Sequence, residues 1–454
     1  MKLSESIRKG HRDSTSMEPV ALAGELDFDT YYSIKSAVHL RLVESLDLSV
    51  IADVPLESLA NTIRKTLQEI TAAERLPLNQ AEKSVLVSDL MDEIMGLGPL
   101  QPLMADPTVQ DILVNGPSKV YVERRGVLIL TPVRFRDDEH LMQVIDRIVS
   151  AVGRRVDESS PMVDARLPDG SRINVIIRPL SLNGPTVSIR KFSHETLTID
   201  ALMESGSITS EMVQYLKSAV ISKLNILISG GTGVGKTTFL NILSGFIPEP
   251  ERIVTIEDSA ELRLRQPHVI GLESRPGNVE GKGRVTMADL VRNSLRMRPD
   301  RIIVGEARGM EVMDMLQAMN TGHPGSMSTI HANSPKDALA RIQAMADMAE
   351  TSFTERALRS LVSRAVNVVI QLARLVDGRR LVASISEITG LKGDTTALQD
   401  IFVFDQQGIG SRGSAYGVFR GSGVPSSFLE HFAAYGISPD PDIFRSVKEI
   451  GERE

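Results

Sequence analysis

The segment ISGGTGVGKTT, residues 228–238, constrains the fold of this chain more than any other feature. It has the spacing G-x-x-x-x-G-K-T, in which Gly230 and Gly235 are the two glycines and Lys236 and Thr237 follow. One apolar run precedes the segment and another follows it, which predicts a buried strand, a glycine-rich turn and a helix in that order. Backbone N–H groups of such a turn converge on a phosphate at the helix N-terminus. The alternative, a purely structural turn, is disfavoured by this context, so the sequence predicts an α/β domain that holds a nucleotide.

The candidate nucleotide ligands come from the loop and from the first turn of the helix. The Lys236 ammonium is expected to bridge the β- and γ-phosphates of ATP, and the Thr237 hydroxyl is expected to bind Mg²⁺. ATP and Mg²⁺ are therefore the predicted cofactors. The predicted ATP-binding residues are Gly231, Thr232, Gly233, Val234, Gly235, Lys236, Thr237 and Thr238.

The composition narrows the class of protein. The chain has 454 residues, enough for two to four domains, and no cysteine, which excludes disulfides, cysteine-ligated zinc and thiol catalysis. A net charge of −7, an aromatic content of 4% and the absence of tryptophan argue against direct binding of nucleic acid. No apolar stretch approaches the roughly 18 residues of a membrane span, and the polar N-terminus does not resemble a secretory signal. We therefore expect a cytoplasmic protein that is held at a membrane, if at all, by partners.

Hydrophobic periodicity divides the chain into four regions. Residues 1–28 are polar and are predicted to be disordered. Residues 29–95 have the three- and four-residue spacing of helices, and residues 96–195 combine hairpins, a helix and a further strand in a small α+β domain. Strands and helices then alternate to about residue 350, so residues 196–454 are predicted to form an α/β ATPase domain with a C-terminal extension.

Charged and polar side chains follow several of the predicted parallel strands. RIVTIEDSAE ends a strand in Glu257 and Asp258, with Glu261 shortly after; RIIVGEARG carries Glu306 and GSMSTIHAN carries His331. Ligands of open α/β sheets bind at the carboxyl ends of the strands, so these residues should lie on the same edge as the phosphate loop. Carboxylates beside a magnesium nucleotide hold the waters of the metal and orient or deprotonate an attacking water.

Asp300 and His323 also stand close to these strands. Asp300 and Glu306 are six residues apart along an extended strand, about 20 Å, so they cannot both contact one metal ion. Asp300 is therefore predicted to be a structural cap at the amino end of the strand. His323 and His331 flank the next strand, and from the residues alone both a structural role and a role at the nucleotide remain open for them.

Four segments in order resemble the sequence boxes of the type II/type IV secretion ATPase superfamily. GGTGVGKTT is similar to its Walker A box, TIEDSAEL to its Asp box, NSLRMRPDRIIVGEARG to its Walker B box and AMNTGHPGSMSTIHANSP to its His box. The run from GLGPLQPLMADPTVQDILVNG onward resembles the N-terminal domain of that family. The Walker B and His segments most resemble the tight-adherence (Tad, or Flp) pilus branch, and the resemblance covers about residues 90–400.

The resemblance implies a ring-shaped homohexamer on the cytoplasmic face of the inner membrane, with a RecA-like ATPase domain after a smaller N-terminal domain. It implies that Glu261 activates water and that Glu306 is the Walker B acid, which acts on Mg²⁺ through a water. His323 and His331 would sense the γ-phosphate.

The sequence departs from the family pattern at two points. It has no cysteines and therefore lacks the zinc element of the type II branch, so no zinc is expected. Pro324 also stands in the His box where an acidic residue would be expected.

Three functions remain in competition. The expected one is a hexameric motor that couples ATP hydrolysis to assembly, or also retraction, of a Tad-type pilus through an inner-membrane platform. The second is a conjugation-type secretion ATPase that drives translocation of DNA or protein. The third is a scaffold that binds ATP without hydrolysis, against which Glu261 and Glu306 argue.

Arginines of the α+β domain are candidates for a further contact with the nucleotide. Phosphoryl transfer spreads negative charge over the γ-phosphate oxygens, and Mg²⁺ and Lys236 leave part of that charge uncompensated. Arg172, Arg178 and Arg190 stand on successive strand segments of this domain. We expect at least one of them to contact the nucleotide; the alternative is that they only solvate a sheet face.

Overall fold

A computed structural model of the protein describes residues 28–45, 56–73, 78–124, 127–192, 197–275, 277, 282–348, 353–393, 395–410 and 413–451. The chain divides into two compact units, Met1–His194 and Glu195–Glu454. The predicted disordered N-terminus lies outside the described residues except for Phe28, which begins the first helix.

The first unit contains a helical segment followed by an antiparallel sheet. Its elements are α1 (Phe28–Ser45), α2 (Leu56–Ala73), α3 (Gln80–Met95), α4 (Gln101–Ala105), β1 (Asp111–Asn115), β2 (Val120–Arg124), β3 (Val127–Leu130), α5 (Asp138–Ala151), β4 (Met162–Arg166), β5 (Arg172–Ile176) and β6 (Thr186–Arg190).

The helices α1–α3 pack around a small apolar core. Leu59, Ile63 and Leu67 of α2 are buried in it, as their helical spacing predicts. Asn79 caps α3: its side chain accepts the N–H of Glu82, and the Glu82 carboxylate accepts the N–H of Asn79. This reciprocal cap fixes where α3 begins.

The six-stranded sheet of the first unit has the order β3-β2-β1-β6-β5-β4. Buried and less buried residues alternate along β1 and β5, so one face of the sheet forms a core, to which α5 contributes its apolar side. One of the hairpins predicted for residues 96–195 is the β4–β5 pair, which turns at Pro168–Gly170, and Gly170 adopts a φ of +91°, which favours glycine.

A buried carboxylate connects the helical segment to the α+β part of the first unit. Glu93 at the end of α3 lies 2.9 Å from the Lys35 ammonium and is hydrogen-bonded to His140 of α5. Burial alone would raise the pKa of Glu93, but the hydrogen bond from His140 and the charge of Lys35 outweigh it and lower the pKa to about 2.

The second unit is a large mixed sheet with helices on both faces. Its elements are α6 (Ile199–Glu204), α7 (Ser210–Ile221), β7 (Ile226–Gly230), α8 (Lys236–Ser244), β8 (Ile253–Glu257), β9 (Val269–Glu273), α9 (Met287–Ser294), β10 (Arg301–Val304), α10 (Glu311–Asn320), β11 (Met327–Ile330), α11 (Pro335–Asp347), α12 (Glu355–Ala365), β12 (Val368–Arg374), β13 (Arg380–Lys392), β14 (Thr395–Ile409), β15 (Ala415–Gly421), α13 (Leu429–Ala434) and β16 (Val447–Ile450).

The strand order of this sheet is β16-β15-β14-β13-β12-β7-β11-β10-β8-β9. All neighbours from β12 to β9 run parallel, and every residue of β7, β8, β10 and β11 is buried. One apolar core contains residues of α7 and α8, and the other contains residues of α9–α12. Because the phosphate-loop strand β7 is separated from β10 by β11, the fold is that of a RecA-like P-loop domain, as predicted.

The strands after β12 run antiparallel and extend the sheet at one side. A cluster of aromatic rings, Tyr215, Phe402, Phe432 and Phe444, packs there around α7. The fully buried carboxylate of Glu387 on β13 accepts hydrogen bonds from the Tyr215 hydroxyl (2.7 Å) and, through residues 426 and 427, from the segment before α13. These bonds satisfy a group that would be costly to bury alone and join the C-terminal strands to the RecA-like domain.

None of the helices in the described residues combines the length and the apolar character that crossing a bilayer requires.

Candidate active site

The phosphate loop connects β7 directly to α8. Gly235 precedes the first residue of α8 and has a φ of +91°, and Gly233 has a φ of +71°. Both values favour glycine, and they turn the loop sharply around the N-terminus of the helix. Thr232 and Thr238 are exposed and Thr237 is half-buried, so the loop is open to a ligand. This backbone fits a phosphate cradle at the positive end of α8.

Lys236 lies inward at the start of α8. Its ammonium donates to the carbonyl oxygens of Gly230 (3.1 Å) and Gly231 (2.8 Å) and lies 3.3 Å from Nδ1 of His331. Burial lowers the pKa of Lys236, and the nearby charge of Glu306 partly offsets that effect. The lysine that the sequence predicts for the phosphates is thus next to the predicted acid and histidine.

Glu306 follows β10 at the same edge of the sheet. Its Oε1 is 2.7 Å from Nε2 of His331, and its Oε2 accepts a 2.6 Å hydrogen bond from Nη2 of Arg308. Burial and the charge of Lys236 lower the pKa of His331, which favours its neutral form. The hydrogen bond with Glu306 raises the pKa of Arg308. Arg308 was not predicted from the sequence, although it stands only two residues after the predicted acid.

Glu257 ends β8 and is almost fully buried. One of its carboxylate oxygens accepts the backbone N–H groups of Glu261 (2.8 Å) and Leu262 (3.0 Å). A Cβ at residue 305 would lie 2.8 Å from the Cγ of Glu257, closer than real contacts permit. Glycine immediately before Glu306 therefore allows β10 to pass the carboxylate that fixes the backbone of Glu261. This close approach, which comes from the pairing of β8 with β10, gives the reason for a glycine at position 305.

Asp300 and His323 lie at the opposite edge of the sheet. The Asp300 carboxylate accepts the N–H of Arg252 at 2.8 Å, at the amino end of β10, so its prediction as a structural cap is confirmed. His323 precedes β11. Its backbone N–H donates to the carbonyl oxygen of Ala318, and its carbonyl oxygen accepts the Ser326 hydroxyl. The structure thus separates His323 from His331 by the length of β11, and within one chain His323 does not reach the phosphate loop.

Three arginines of the first unit form a row across adjacent strands. Arg166 of β4 is directly opposite Arg172 of β5, Arg172 is opposite Arg190 of β6, and Arg190 is opposite Asp111 of β1. Like charges at opposite positions destabilise a sheet. At one end of the row, Nε of Arg190 lies 3.2 Å from the Asp111 carboxylate.

Arg178 does not belong to this row. It follows the far end of β5, six residues and about 20 Å from Arg172, and lies 3.9 Å from the Asp138 carboxylate. The structure therefore brings together two of the three predicted arginines and adds Arg166, which the sequence analysis did not select.

A cleft opens beside the phosphate loop within the second unit. Most of its lining is apolar, and its lining residues include Leu202, Val234, Thr238, Phe239, Leu372 and Arg380. A cleft of this character next to the first turn of α8 suits the base and ribose of a nucleotide whose phosphates lie in the loop.

The described residues contain no group of three or more His, Asp or Glu side chains arranged to hold a metal ion by themselves. Mg²⁺ at nucleotide sites usually retains several waters and binds through substrate phosphates and one or two protein oxygens. Thr237 at the first turn of α8 and Glu306, through water, are the residues that would serve such an ion.

Comparisons with known proteins identify the family of the chain. A family model described as "Type II/IV secretion system protein" matches residues 93–400. A protein of Mycobacterium tuberculosis whose name assigns it to conjugal transfer is 38% identical over 315 residues, which is 68% of this chain and 89% of the relative. The conjugal transfer protein TrbB of Rhizobium radiobacter is 31% identical over 64% of this chain and 86% of its own length.

Among solved structures, the VirB11 ATPase of the Brucella suis type IV secretion system, in complex with sulphate, is 30% identical. The match covers 64% of this chain and 96% of that chain, with a TM-score of 0.35. The family model spans more than half of the present chain, including the phosphate loop and all the strand-end residues described above. The chain belongs to the type II/type IV secretion ATPase family.

Proposed function

We propose that the chain hydrolyses ATP to ADP and phosphate and uses the reaction to drive a secretion or pilus machine. The observation that carries this proposal is the convergence of Lys236, Glu306 and His331 at one edge of the sheet, beside a glycine-rich loop at a helix N-terminus. Glu257 and Glu261 follow the neighbouring strand on that edge. A scaffold without hydrolysis would not need these acids beside the loop.

The phosphate loop and Lys236 would hold and compensate the β- and γ-phosphates. Bound Mg²⁺ would supply positive charge to the same oxygens, with Thr237 as its protein ligand. The short path from Lys236 to His331 and Glu306 makes His331 a candidate sensor, because a γ-phosphate near Lys236 changes the charge that His331 faces. His323 was also predicted to sense the γ-phosphate, but within a single chain it lies at the other edge of the sheet.

Glu261 would take the proton of the attacking water as its oxygen bonds to the γ-phosphorus and the bond to the ADP oxygen breaks. Its role needs a fixed position, since misplacing a catalytic group by about 1 Å can reduce the rate a hundredfold. Glu257 provides that position through the hydrogen bonds to the backbone of residues 261 and 262. Glu306 would orient water on the metal, with Arg308 and His331 fixing its carboxylate.

The arginine row of the first unit would complete the charge compensation. We propose that Arg172 and Arg190 contact the nucleotide of the same or a neighbouring subunit in a homohexamer. The supporting observation is the register, which places Arg172 and Arg190 directly opposite each other on neighbouring strands, so that one anion could contact both. Hydrolysis would then depend on assembly and on closure around the nucleotide.

The machine that this motor drives has two candidates. The Walker B and His segments favour assembly of a Tad-type pilus through inner-membrane platform proteins, with the motor peripheral on the cytoplasmic face. The names of the relatives, which refer to conjugal transfer and type IV secretion, favour the alternative of translocating DNA or protein. The family, the site and the chemistry are common to both.

Substitutions at the edge of the sheet should separate binding from hydrolysis. Lys236→Ala should abolish hydrolysis, because it removes charge from the phosphates. Glu261→Gln and Glu306→Gln should retain ATP but hydrolyse it about 10²–10³-fold more slowly, since each removes a group that acts on water or charge in the transition state. Phosphate release and titration with a fluorescent ATP analogue measure the two effects. Glu430→Gln, an exposed site on α13, is the control, and wild-type turnover in Glu261→Gln would remove that residue from catalysis.

Gly305→Ala tests whether Glu257 positions the catalytic residues. The added Cβ should displace the Glu257 carboxylate and lower the hydrolysis rate by about 10- to 100-fold, while affinity for ATP changes little. Gly271→Ala on β9 is the matched control, because its Cβ would be 3.6 Å from the Thr255 hydroxyl, an ordinary contact. A Gly305→Ala protein with unchanged turnover would show that the close approach is not needed for catalysis.

Substitution of arginines in the row and outside it tests the proposed contact with the nucleotide. Arg172→Ala and Arg190→Ala should each reduce the hydrolysis rate of the assembled protein about tenfold or more, because charge compensation is lost in the transition state. Arg178→Ala, at the other end of β5, should have little effect. The ATPase rate is measured against protein concentration, with the oligomeric state followed in parallel. Equal effects of all three substitutions would contradict the proposed contact.

A gene deletion distinguishes the two machines. If the pilus assignment is correct, cells without this protein should lose surface filaments, and expression of the wild-type but not the Lys236→Ala protein should restore them. Filament counts by electron microscopy and plasmid transfer frequency are measured in the same strains. Loss of transfer with normal filaments would instead establish the conjugation-type function.

A further inference from the structure

The turn between β12 and β13 places Arg380 at the border between the cleft and the phosphate loop. The Cδ of Arg380 is 3.8 Å from the position that a Cβ would occupy at Gly235, and its side chain lines the cleft beside Thr238. Of the residues that line this cleft, Arg380 is the charged one. It therefore lies where the apolar part of the site meets the residues that begin α8.

Arg380 also has an unfavourable neighbour. It stands directly opposite Arg374 in the antiparallel β12–β13 pair, and both side chains are exposed. Like charges in opposite positions repel and destabilise the pair. An anion held next to Arg380 would offset that repulsion, and the adjacent phosphate loop is the place where the proposed ligand carries its charge.

We infer that Arg380 binds the α-phosphate of the nucleotide and that strand β15, which follows the family-matched region, holds Arg380 in place. The inference rests on the proposed function, since it assigns a ligand group within the same nucleotide site. It adds a positioning role for the C-terminal extension, to which neither the motifs nor the family match assigns a role.

The connection from Arg380 to β15 runs through Asp377 and Arg379. The Asp377 carboxylate accepts the backbone N–H of Ala415 (2.8 Å) and both the backbone N–H (3.0 Å) and the Nε–H (2.9 Å) of Arg379. The Arg379 guanidinium also donates to the carbonyl oxygen of Ala415. Burial alone would raise the pKa of Asp377, but these hydrogen bonds outweigh it and lower the pKa, so the carboxylate stays charged.

Ala415 is fully buried at the start of β15. It lies beyond residue 400, where the family match ends. The turn that precedes Arg380 is thus fixed to a strand outside the part of the chain that the family shares. Gly378 within the turn has a φ of +87°, so the tight reversal that aligns β13 with β12 is built into the sequence. Displacement of β15 would release the turn and move Arg380 relative to Gly235.

The first experiment measures nucleotide affinity of the full chain in Mg²⁺ by titration with fluorescent ADP, together with kcat and KM for ATP. Arg380→Ala should weaken ADP binding about tenfold or more and raise KM, because it removes a charge-assisted bond to phosphate. The kcat should change less than twofold, since the α-phosphate contact is the same in ground and transition states. Arg380→Lys should recover most of the affinity. Arg420→Ala, an exposed arginine on β15, should behave as wild type.

The second experiment tests the role of the C-terminal strand. Asp377→Ala should weaken ADP binding in the same direction as Arg380→Ala but by a smaller factor, and the double substitution should be no worse than Arg380→Ala alone. Circular dichroism checks that each protein remains folded, and Arg379→Ala provides a second way to loosen the turn if Asp377→Ala does not fold.

The phosphate contact, the role of β15 and the proposed function are each contradicted by a different result. Unchanged ADP affinity in Arg380→Ala overturns the phosphate contact. If Arg380→Lys does not recover the affinity, positive charge at this position is not what binds the phosphate. Normal affinity in both turn variants, with weak binding in Arg380→Ala, overturns the role of β15. Absence of hydrolysis in the wild-type protein would count against the proposed function, whereas ADP binding is measured independently of it.

Discussion

The parallel pairing of β7, β11, β10 and β8 is the constraint on which the site depends. Parallel strands share a direction, so residues that follow them are delivered to one edge although they are separated by up to about a hundred positions in the chain. The four strands are buried along their whole length, which fixes their register, and their charged residues stand at strand ends. The strand ends therefore carry the charged groups of the candidate site, and the strand interiors make the site rigid.

Charges at this edge are arranged as a chain of neighbours. Lys236 meets His331, His331 meets Glu306, and Glu306 meets Arg308. The Arg308 guanidinium pairs with the Glu306 carboxylate, whereas burial and the charge of Lys236 favour the neutral form of His331. A second carboxylate, Glu257, is used differently: it binds backbone N–H groups and fixes the chain where Glu261 begins. Two acids close in space thus differ in their contacts: Glu306 contacts side chains, and Glu257 binds backbone N–H groups.

The C-terminal strands extend the same sheet and carry more than stability. Glu387 joins β13 to α7 and to the segment before α13, while Asp377 joins the β12–β13 turn to β15. Since β12 pairs directly with the phosphate-loop strand β7, only β12 separates β13 from that strand in the sheet order.

Short segments of the sequence were enough to predict the phosphate loop, the strand-end positions of Glu257, Glu306 and His331, and the structural place of Asp300, because local periodicity and strand direction are encoded locally. Four facts came from the folded arrangement alone: Gly305 makes room for Glu257, Arg172 and Arg190 align while Arg178 does not, His323 lies at the far edge, and Arg380 reaches the loop. Those facts depend on which strands become neighbours and in which register, and non-local pairing of this kind is fixed by packing rather than by any local pattern.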